Sequence, residues 1–548
     1  MKIGASLVRS AGLIGLLLPL IISNAHADSN SVFLINVTND VSSAIDQFTG
    51  TGIGIGQIEL GVPDTNNLFL ANRVILTTNL FAGTSGGIRS HATEVAGVMI
   101  ATGTVVQGVA PGATVSSVAV TNSGGANPIL DFATNAMIAA WFLATQQNVR
   151  VINASIALGG TEGATIGTSV WERAIDRLVS QTGVIYVQGA GNSGLNGPNT
   201  ILQPGGAFNS IVVGAVNNAN AGSQTNVPLY SAQGYLSDGR SKPDILAPGG
   251  SSAVSPTSTI PDGNLVMPTT NNPAAGSGPH YTTETNAAGT SYAAPAVAAV
   301  IARLLQAGAG GFPNTNGAAS QDPRVIKAAL LNEATKLPGW TQGTTVDGTV
   351  TNVVQPLDPR QGAGLMNANN TLLQLQAGRF APTVAGSGVA ANPVPLKGWD
   401  LFGVSLSLTN LYRLNTQAGG QVRLTVDWYR DVGPTVDGTN NTYGLANLDL
   451  YLWRSMNGGS FASGDFLTVA NSVSVSDNVE QLYFTNLPAG YYQFGVCYTN
   501  YLAANDVTPL SATYGVAWDF NAVPEPSTLL LAEFGMATLW WRLKRRRT

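Results

Sequence analysis

The chain has 548 residues, more than one hydrophobic core usually serves, so we expect two domains. Its single cysteine, Cys497, excludes an intramolecular disulfide. The net charge is −5, and because seven cations lie in the two ends, the part between them carries about −10. This acidic balance argues against a nucleic-acid partner.

Residues 1–27 have the pattern of a secretory signal peptide. Lys2 and Arg9 precede an apolar run, Leu13–Ile22, and Ala25-His26-Ala27 supplies small residues at the cleavage positions. The alternative is an uncleaved membrane anchor, for which the apolar run is short. We therefore expect an exported protein that begins at Asp28.

Strand-like and helix-like segments alternate over residues 28–377. Short runs rich in Val, Ile and Ala suit buried parallel strands, and the segments between them suit helices. The alternation predicts an α/β domain with a central, mostly parallel sheet. One stretch, Ser251–Asn286, is rich in Pro, Gly, Ser and Thr and predicts a surface loop. The predicted strands are Ile53–Leu60, Thr114–Val120, Val149–Ile156, Gly183–Gly189 and Ser210–Val216, and the predicted helices are Thr93–Ile100, Ile129–Gln147, Ser169–Ser180, Thr290–Leu305 and Pro323–Ala334.

After removal of the signal peptide the chain offers two imidazoles, His91 and His280. His91 lies where a polar loop turns into a small-residue helix, so a rigid backbone would hold it beside a cleft. The alternative is a solvent-exposed histidine at a helix start. His280 lies in the predicted loop Ser251–Asn286 without a surrounding motif. A serine–histidine mechanism would therefore use His91.

Two further polar residues lie at similar junctions. Ser291 stands at the start of a helix with proline in its first turn, where the backbone N–H can serve an oxyanion. Asn192 follows the predicted strand Gly183–Gly189, and its amide can donate to the same oxyanion. Each residue alone also fits an ordinary role, a helix N-cap serine or a turn asparagine.

Together these segments resemble the subtilisin family. The family's nucleophile motif matches Gly289–Pro295, and its histidine motif matches His91–Gly97 with Ala92 in place of glycine. The resemblance implies a subtilisin-like three-layer α/β domain and a serine endopeptidase. Further family landmarks follow in order at Gly108–Ala113, Val151–Ser155, Lys242–Gly249 and Gly362–Leu365.

The resemblance also implies roles. Ser291 would attack the scissile carbonyl to form an acyl-enzyme, His91 would be the general base, and Asn192 would hold the oxyanion. No cofactor is implied, and although calcium sites are frequent in the family, no motif here fixes one. The substrate backbone would pair with Ser155, Ile156 and Ala157 as an added strand, over a pocket floor formed by Gly189, Ala190 and Gly191.

The acidic member of the triad departs from the family pattern of Asp followed by Ser or Thr and Gly. Glu59 occupies the Asp position, and Gly61 follows it as expected. Asp64 is a second candidate, but it belongs to the next turn. Because a glutamate can also orient an imidazole, Glu59 is favoured.

A second departure from the family pattern is Glu94. The related sedolisins use Glu and Asp in place of the catalytic His. The presence of His91 favours instead an enzyme with a neutral-to-alkaline pH optimum.

Residues 378–522 lack helical periodicity and predict an all-β sandwich. The region resembles, more loosely, the C-terminal β-sandwich attached to many subtilases. It would stabilise the catalytic domain, contact substrate or matrix, or act as a spacer. The predicted strands are Gln421–Tyr429, Ala446–Trp453, Ser472–Phe484, Gly490–Tyr498 and Ser511–Trp518.

Residues 523–548 form a tripartite tail: a Pro-Glu-Pro start, an apolar stretch Thr528–Trp541, and the basic cluster Arg542–Arg547. The terminal cations would stay on the cytoplasmic side of a membrane. The pattern resembles the PEP-CTERM sorting signal of Gram-negative bacteria. It implies transient anchoring in the inner membrane and removal by an exosortase-type peptidase; a permanent anchor is the alternative.

The expected function is a secreted serine endopeptidase acting on polypeptides. The alternative is a catalytically inactive subtilase-fold matrix or adhesion protein, which Glu59, Ala92 and the sorting tail favour. An esterase is a weaker third possibility, because the segment Ser155–Ala157 suits extended peptides.

Overall fold

The computed structural model describes most of the chain between its two ends. The predicted signal peptide (1–27) and sorting tail (523–548) lie outside the described residues. The residues that the structure describes are 43–81, 87–103, 106–120, 128–158, 169–217, 226–250, 265–270, 278–314, 317–387, 392–433, 443–502 and 510–520.

A seven-stranded sheet forms the centre of the first domain, and every pairing in it is parallel. Its strands are short, and apart from the edge strand β2 they are almost completely buried, as the runs of Val, Ile and Ala predict. In chain order the strands are β1 (Gly54–Glu59), β2 (Val74–Asn79), β3 (Thr114–Ala119), β4 (Val151–Ala154), β5 (Ile185–Gly189), β6 (Ile211–Val216), β7 (Gly234–Tyr235), β8 (Ser241–Lys242) and β9 (Ile245–Pro248), of which β7 and β8 form a separate pair.

The order across the sheet is β2-β3-β1-β4-β5-β6-β9, so β1, β4 and β5 are neighbours at its centre. Ile58 is in register with Ala154, and Ala154 with Gln188. The residues that follow these three strands therefore emerge at the same edge of the sheet, where parallel α/β folds bind ligands.

Helices cover both faces of the sheet, which confirms the predicted three-layer α/β fold. One apolar cluster contains the helices that follow His91 and Ser291, and another lies on the opposite face. The helices are α1 (Ser90–Ile100), α2 (Pro128–Thr145), α3 (Val170–Thr182), α4 (Thr290–Ala309), α5 (Pro323–Glu333) and α6 (Ala368–Gln376), with 3₁₀ turns at Ala44–Gln47, Leu68–Leu70, Gly194–Asn196 and Ala319–Gln321.

Local sequence sets the ends of these helices. Ser169 and Glu172 form a reciprocal capping box at the start of α3, and Gly183 ends it in the left-handed conformation, with φ 70°. Among the described residues, α4 alone is long and apolar enough to cross a membrane, but it is almost entirely buried as a core helix.

Two predicted segments differ from the structure. The predicted loop Ser251–Asn286 contains a hairpin of β10 (Leu265–Pro268) and β11 (Thr283–Ala287). The predicted strand Ser472–Phe484 is two strands joined by a turn, in which Ser474 bonds to Asp477. In both places short-range composition misled the prediction, because side-chain hydrogen bonds and distant pairing decide the backbone there.

Two packed sheets form the predicted β-sandwich. Trp428, Trp518, Tyr412 and Phe494 fill its core. The sheet orders are β12-β13-β20-β19-β22-β16-β14, with β18 beside β19, and β15-β23-β17-β21. The strands are β12 (Gly343–Asp347), β13 (Val350–Gln355), β14 (Thr383–Val384), β15 (Lys397–Ser405), β16 (Thr409–Thr416), β17 (Gly420–Trp428), β18 (Asp431–Val432), β19 (Tyr443–Ser455), β20 (Phe466–Ser472), β21 (Val479–Leu487), β22 (Gly490–Leu502) and β23 (Ser511–Asp519).

The sandwich does not begin abruptly at residue 378. The hairpin β12–β13 precedes that position, yet β13 pairs with β20 and extends the larger sheet. Trp399, Val479 and Ala517 of the sandwich also belong to the apolar cluster of the first domain. The two regions therefore share part of one hydrophobic core.

Buried ion pairs cross the same interface. Lys327 on α5 lies 3.2 Å from Asp427 of β17 and 3.6 Å from Asp244 beside β9, and all three side chains are buried. Arg430 of the sandwich pairs with Asp176 of α3. Because a buried charge without its partner is costly, these contacts hold the sandwich in one orientation and argue against a mere spacer.

The change Lys327→Met tests this interface, because it keeps an unbranched side chain but leaves Asp427 without its cation. We expect the free energy of unfolding to fall by about 3–5 kcal/mol at neutral pH. Burial raises the pKa of Asp427 to about 7 even beside Lys327. Without Lys327 this pKa rises further, so above about pH 7 the folded variant keeps a proton at Asp427 that both the unmodified protein and the unfolded chain release. The loss of stability will therefore grow as the pH rises above about 7.

Urea titrations at several pH values measure this effect. The matched control is Arg360→Met, at an exposed position, which should change stability by no more than about 0.5 kcal/mol. A loss below about 1 kcal/mol for Lys327→Met at every pH would contradict the interpretation.

Candidate active site

Glu59 and His91 form a hydrogen-bonded pair at the edge of the central sheet. Glu59 is the last residue of β1, and its Oε2 lies 3.0 Å from Nδ1 of His91, the second residue of α1. The Glu59 side chain is only 2% exposed, whereas that of His91 is 41% exposed. Since the carboxylate accepts, Nδ1 carries the proton, and Nε2 is the acceptor when the imidazole is neutral. The extra methylene of a glutamate is thus compatible with an ordinary contact.

This pairing changes the acid–base properties of His91. Burial lowers its pKa, but the carboxylate of Glu59, the hydrogen bond to it and the charge of Glu94 outweigh burial. The result is a pKa raised from 6.5 to about 9. His91 is therefore an imidazolium at neutral pH and a free base only in alkaline solution.

Asp64 contacts the other histidine. Its Oδ2 lies 3.1 Å from Nε2 of His280, and the Nδ1 of His280 accepts from the backbone N–H of Thr282 at 3.3 Å. Both side chains of the pair are about nine-tenths buried. The backbone N–H of Asp64 also donates to Thr93 of α1. Each histidine thus has its own carboxylate, and sequence reasoning, which left His280 unpartnered in a loop, missed this second pair.

Ser291 and Asn192 come together at the start of α4. The Oδ1 of Asn192 accepts from the backbone N–H of Thr290 at 2.9 Å and from its hydroxyl at 3.1 Å. The hydroxyl of Thr290 in turn accepts from the backbone N–H of Gly191. These bonds fix the amide of Asn192 and leave Nδ2 available as a donor beside Ser291.

Two cavities meet at this place, and the extended segment Ser155–Ala157 lines both. The larger, about 370 Å³, also contains Ser291, Asn192, Gly189 and Gly191. The smaller, about 280 Å³, contains Glu59 and His91. The hydroxyl of Ser155 donates to the backbone carbonyl of Ser291 at 2.8 Å and so ties the segment to α4.

Five of the six predicted substrate-contacting residues line the larger cavity: Ser155, Ile156, Ala157, Gly189 and Gly191. The side chain of Ala190 instead lies in a small core cluster with Ile201 and Val212 and has no exposed surface. Among the described residues, no hydrogen bond joins Ser291 to His91. The two residues nevertheless lie in the same region, since the imidazole of His91 is 5.5 Å from the ring of Tyr292, the residue after Ser291.

In the described part of the chain, no group of three or more His, Cys, Asp or Glu side chains is placed to hold a metal ion. Burial raises the pKa of Cys497 to about 11, so its thiol stays protonated. A calcium site remains an expectation from the family resemblance.

Comparison with known proteins identifies the family of the chain. Residues 83–364 match the profile of the Subtilase family, and the chain belongs to that family. At the level of the family it is a serine-type peptidase.

Three relatives illustrate the similarity. Subtilisin of Bacillus pumilus is 32% identical over 228 residues, which cover 39% of this chain and 70% of the relative. Subtilisin DY of Bacillus licheniformis is 30% identical over 262 residues, 47% of this chain and 78% of the relative. The serine protease AprX of Bacillus subtilis is 26% identical over 314 residues, 53% of this chain and 67% of the relative.

A titration of His91, monitored by NMR of its ring protons, shows whether Glu59 or Asp64 is the carboxylate that acts on it. We expect a midpoint at about 9 in the unmodified protein. Glu59→Gln removes the charge and the carboxylate acceptor, so the midpoint should move down toward that of a free histidine. Asp64→Asn is the matched control and should leave His91 unchanged. A shift caused by Asp64→Asn alone would reverse the assignment.

Proposed function

We propose that this protein is an exported serine endopeptidase that cleaves polypeptides through an acyl-enzyme on Ser291. The observation that carries the proposal is the 3.0 Å bond between Glu59 and His91, in a cavity that shares Ser155–Ala157 with the cavity that Ser291 and Asn192 line. A buried acid, an accessible imidazole and a serine at a helix start are the parts that such a reaction needs.

Glu59 holds the Nδ1 proton of His91, so Nε2 takes the proton of the Ser291 hydroxyl as its oxygen attacks the scissile carbonyl. The tetrahedral oxyanion accepts from Nδ2 of Asn192 and from the backbone N–H of Ser291 at the positive end of α4. His91 then protonates the leaving amine, and water releases the acyl group by the same route. The hydrogen bond between Ser291 and His91 forms on substrate binding, as catalytic contacts often do.

The substrate is an extended polypeptide. The segment Ser155–Ala157 follows β4, and no strand among the described residues pairs with it on the cavity side, so its backbone pairs with the substrate as an added strand. One substrate side chain enters the 370 Å³ cavity that Gly189 and Gly191 help to line, where an added Cβ would collide with Thr290 or Leu202. This arrangement favours a peptidase over an esterase.

Export and sorting complete the proposal. Residues 1–27 direct the chain across the inner membrane, and residues 523–548 anchor it there until an exosortase-type peptidase removes them, in a Gram-negative bacterium. The product is then released to the cell surface or the medium. The rival function, an inactive matrix or adhesion protein, loses its main support if Glu59 orients His91.

Labelling with a fluorophosphonate separates the two functions. The unmodified protein should react at one residue and cleave a denatured protein substrate, whereas Ser291→Ala should do neither. Asn192→Leu removes the oxyanion donor but keeps the nucleophile, so kcat should fall by about 10²–10³-fold with little change in KM. An unmodified, folded protein that is neither labelled nor active would support the adhesion protein.

The pH dependence follows from the neutral form of His91. Because its pKa lies at about 9, kcat/KM should rise with pH through the neutral range and level off only in alkaline solution. Glu59→Gln should move this rise to lower pH and reduce the plateau by roughly 10³–10⁴-fold. A maximum at acidic pH that survives His91→Ala would instead indicate a sedolisin-type mechanism.

A further inference from the structure

A second buried carboxylate lies beneath the proposed catalytic pair. Glu94 follows His91 by three residues on α1, is 7% exposed, and has a partner for each oxygen. Its Oε2 accepts from the hydroxyl of Tyr292 at 2.7 Å, and its Oε1 accepts from the hydroxyl of Thr269 at 2.9 Å. Glu94 therefore joins three segments: α1, the start of α4, and the end of β10.

Tyr292 is placed to transmit this contact to both proposed catalytic residues. It directly follows Ser291 in α4, and its ring lies 5.5 Å from the imidazole of His91 at an angle of 45°. Burial, and then the nearby charge of Glu94, raise the pKa of Tyr292 far above its ordinary value, so its hydroxyl remains a donor. Tyr292 therefore directly follows Ser291 in the chain, packs its ring against His91, and donates a hydrogen bond to Glu94 on the helix that carries His91.

The β10–β11 hairpin contacts α1 and Glu94 as well. A Cβ atom added to Gly97 of α1 would lie 2.3 Å from Cδ of Pro268, so the hairpin packs directly on α1. Thr269, the next residue, then reaches Glu94. The position of Glu94 is consequently determined by packing as well as by hydrogen bonds.

We propose that Glu94 and Tyr292 are positioning residues: their hydrogen bond sets the separation of α1 and α4 and so places Ser291 against His91. This inference rests on the proposed peptidase function and adds to it a second carboxylate. Glu59 orients the imidazole through Nδ1, whereas Glu94 acts from its own helix, through Tyr292 and through its charge. A change of about 1 Å in the approach of the two catalytic groups can reduce turnover roughly a hundredfold.

Several charged or titratable groups surround His91. They are Glu59 on β1, Glu94 on α1, Tyr292 on α4 and Arg89 at the start of α1, which lines the same cavity. Both carboxylates favour the imidazolium, and Glu59 contributes more than Glu94. Loss of either charge should therefore make His91 a free base at lower pH.

The first test is Tyr292→Phe, which keeps the ring against His91 and removes the bond to Glu94. We expect kcat to fall by roughly ten- to a hundredfold, KM to change little, and the rate of fluorophosphonate labelling to fall in parallel. The matched control is Tyr186→Phe, which removes a buried hydroxyl in the apolar cluster on the opposite face of the sheet. It should leave kcat unchanged.

The second test is Glu94→Gln, which keeps the shape and an acceptor oxygen for Tyr292 but removes the charge. The rise of kcat/KM with pH should move to lower pH, by less than the shift caused by Glu59→Gln. This readout reports the charge of Glu94 on His91, separately from the hydrogen bond to Tyr292, which the variant keeps. A purely structural role of the carboxylate would lower the melting temperature but leave the pH profile in place.

The outcomes are distinguishable from failure of the proposed function. If the unmodified protein is neither labelled nor active, the peptidase proposal fails. If it is active but Tyr292→Phe retains its kcat, the positioning role of the hydrogen bond is overturned, and if Glu94→Gln retains its pH profile, the contribution of the Glu94 charge is overturned. Should Tyr292→Phe fail to fold, Glu94→Ala, which removes the acceptor of the same bond, decides the positioning role through kcat.

Discussion

The contact between the carboxylate of Glu59 and Nδ1 of His91 is the interaction on which the site depends. It joins the end of the central strand β1 to the start of α1, and it is made by a buried acid to an accessible imidazole. The low exposure of Glu59 strengthens the interaction, because little solvent screens it. It determines which nitrogen of His91 is free, and it raises the pKa of that histidine.

The parallel sheet explains why such distant residues meet. Strands β1, β4 and β5 lie side by side, so Glu59, Ser155 and the glycines after Val187 emerge at one edge. The helix α4 crosses beneath them and brings Ser291 to the same place, where Ser155 and Asn192 bond to its first residues. Secondary structure of ordinary kinds is therefore sufficient to assemble the site.

Much of this could be predicted from the sequence, because the informative signals are local. A buried strand ending in Glu59 and a helix beginning near His91 can each be recognised within about ten residues. The bond between Asp64 and His280 could not, since 216 residues separate the partners and neither lies in a motif. The same holds for Lys327 with Asp427 and for the bond from Glu94 to Tyr292, which only tertiary packing brings together.

The shared core has a consequence for the order of events during synthesis. Trp399, Val479 and Ala517 lie in the same apolar cluster as α4, the helix that carries Ser291. The sandwich strands β15, β17 and β23 pack on α5, and β15 and β23 also pack on α6. A growing chain that ends before these strands leaves the faces of α5 and α6 uncovered, so the first domain completes its core only when the sandwich has been made.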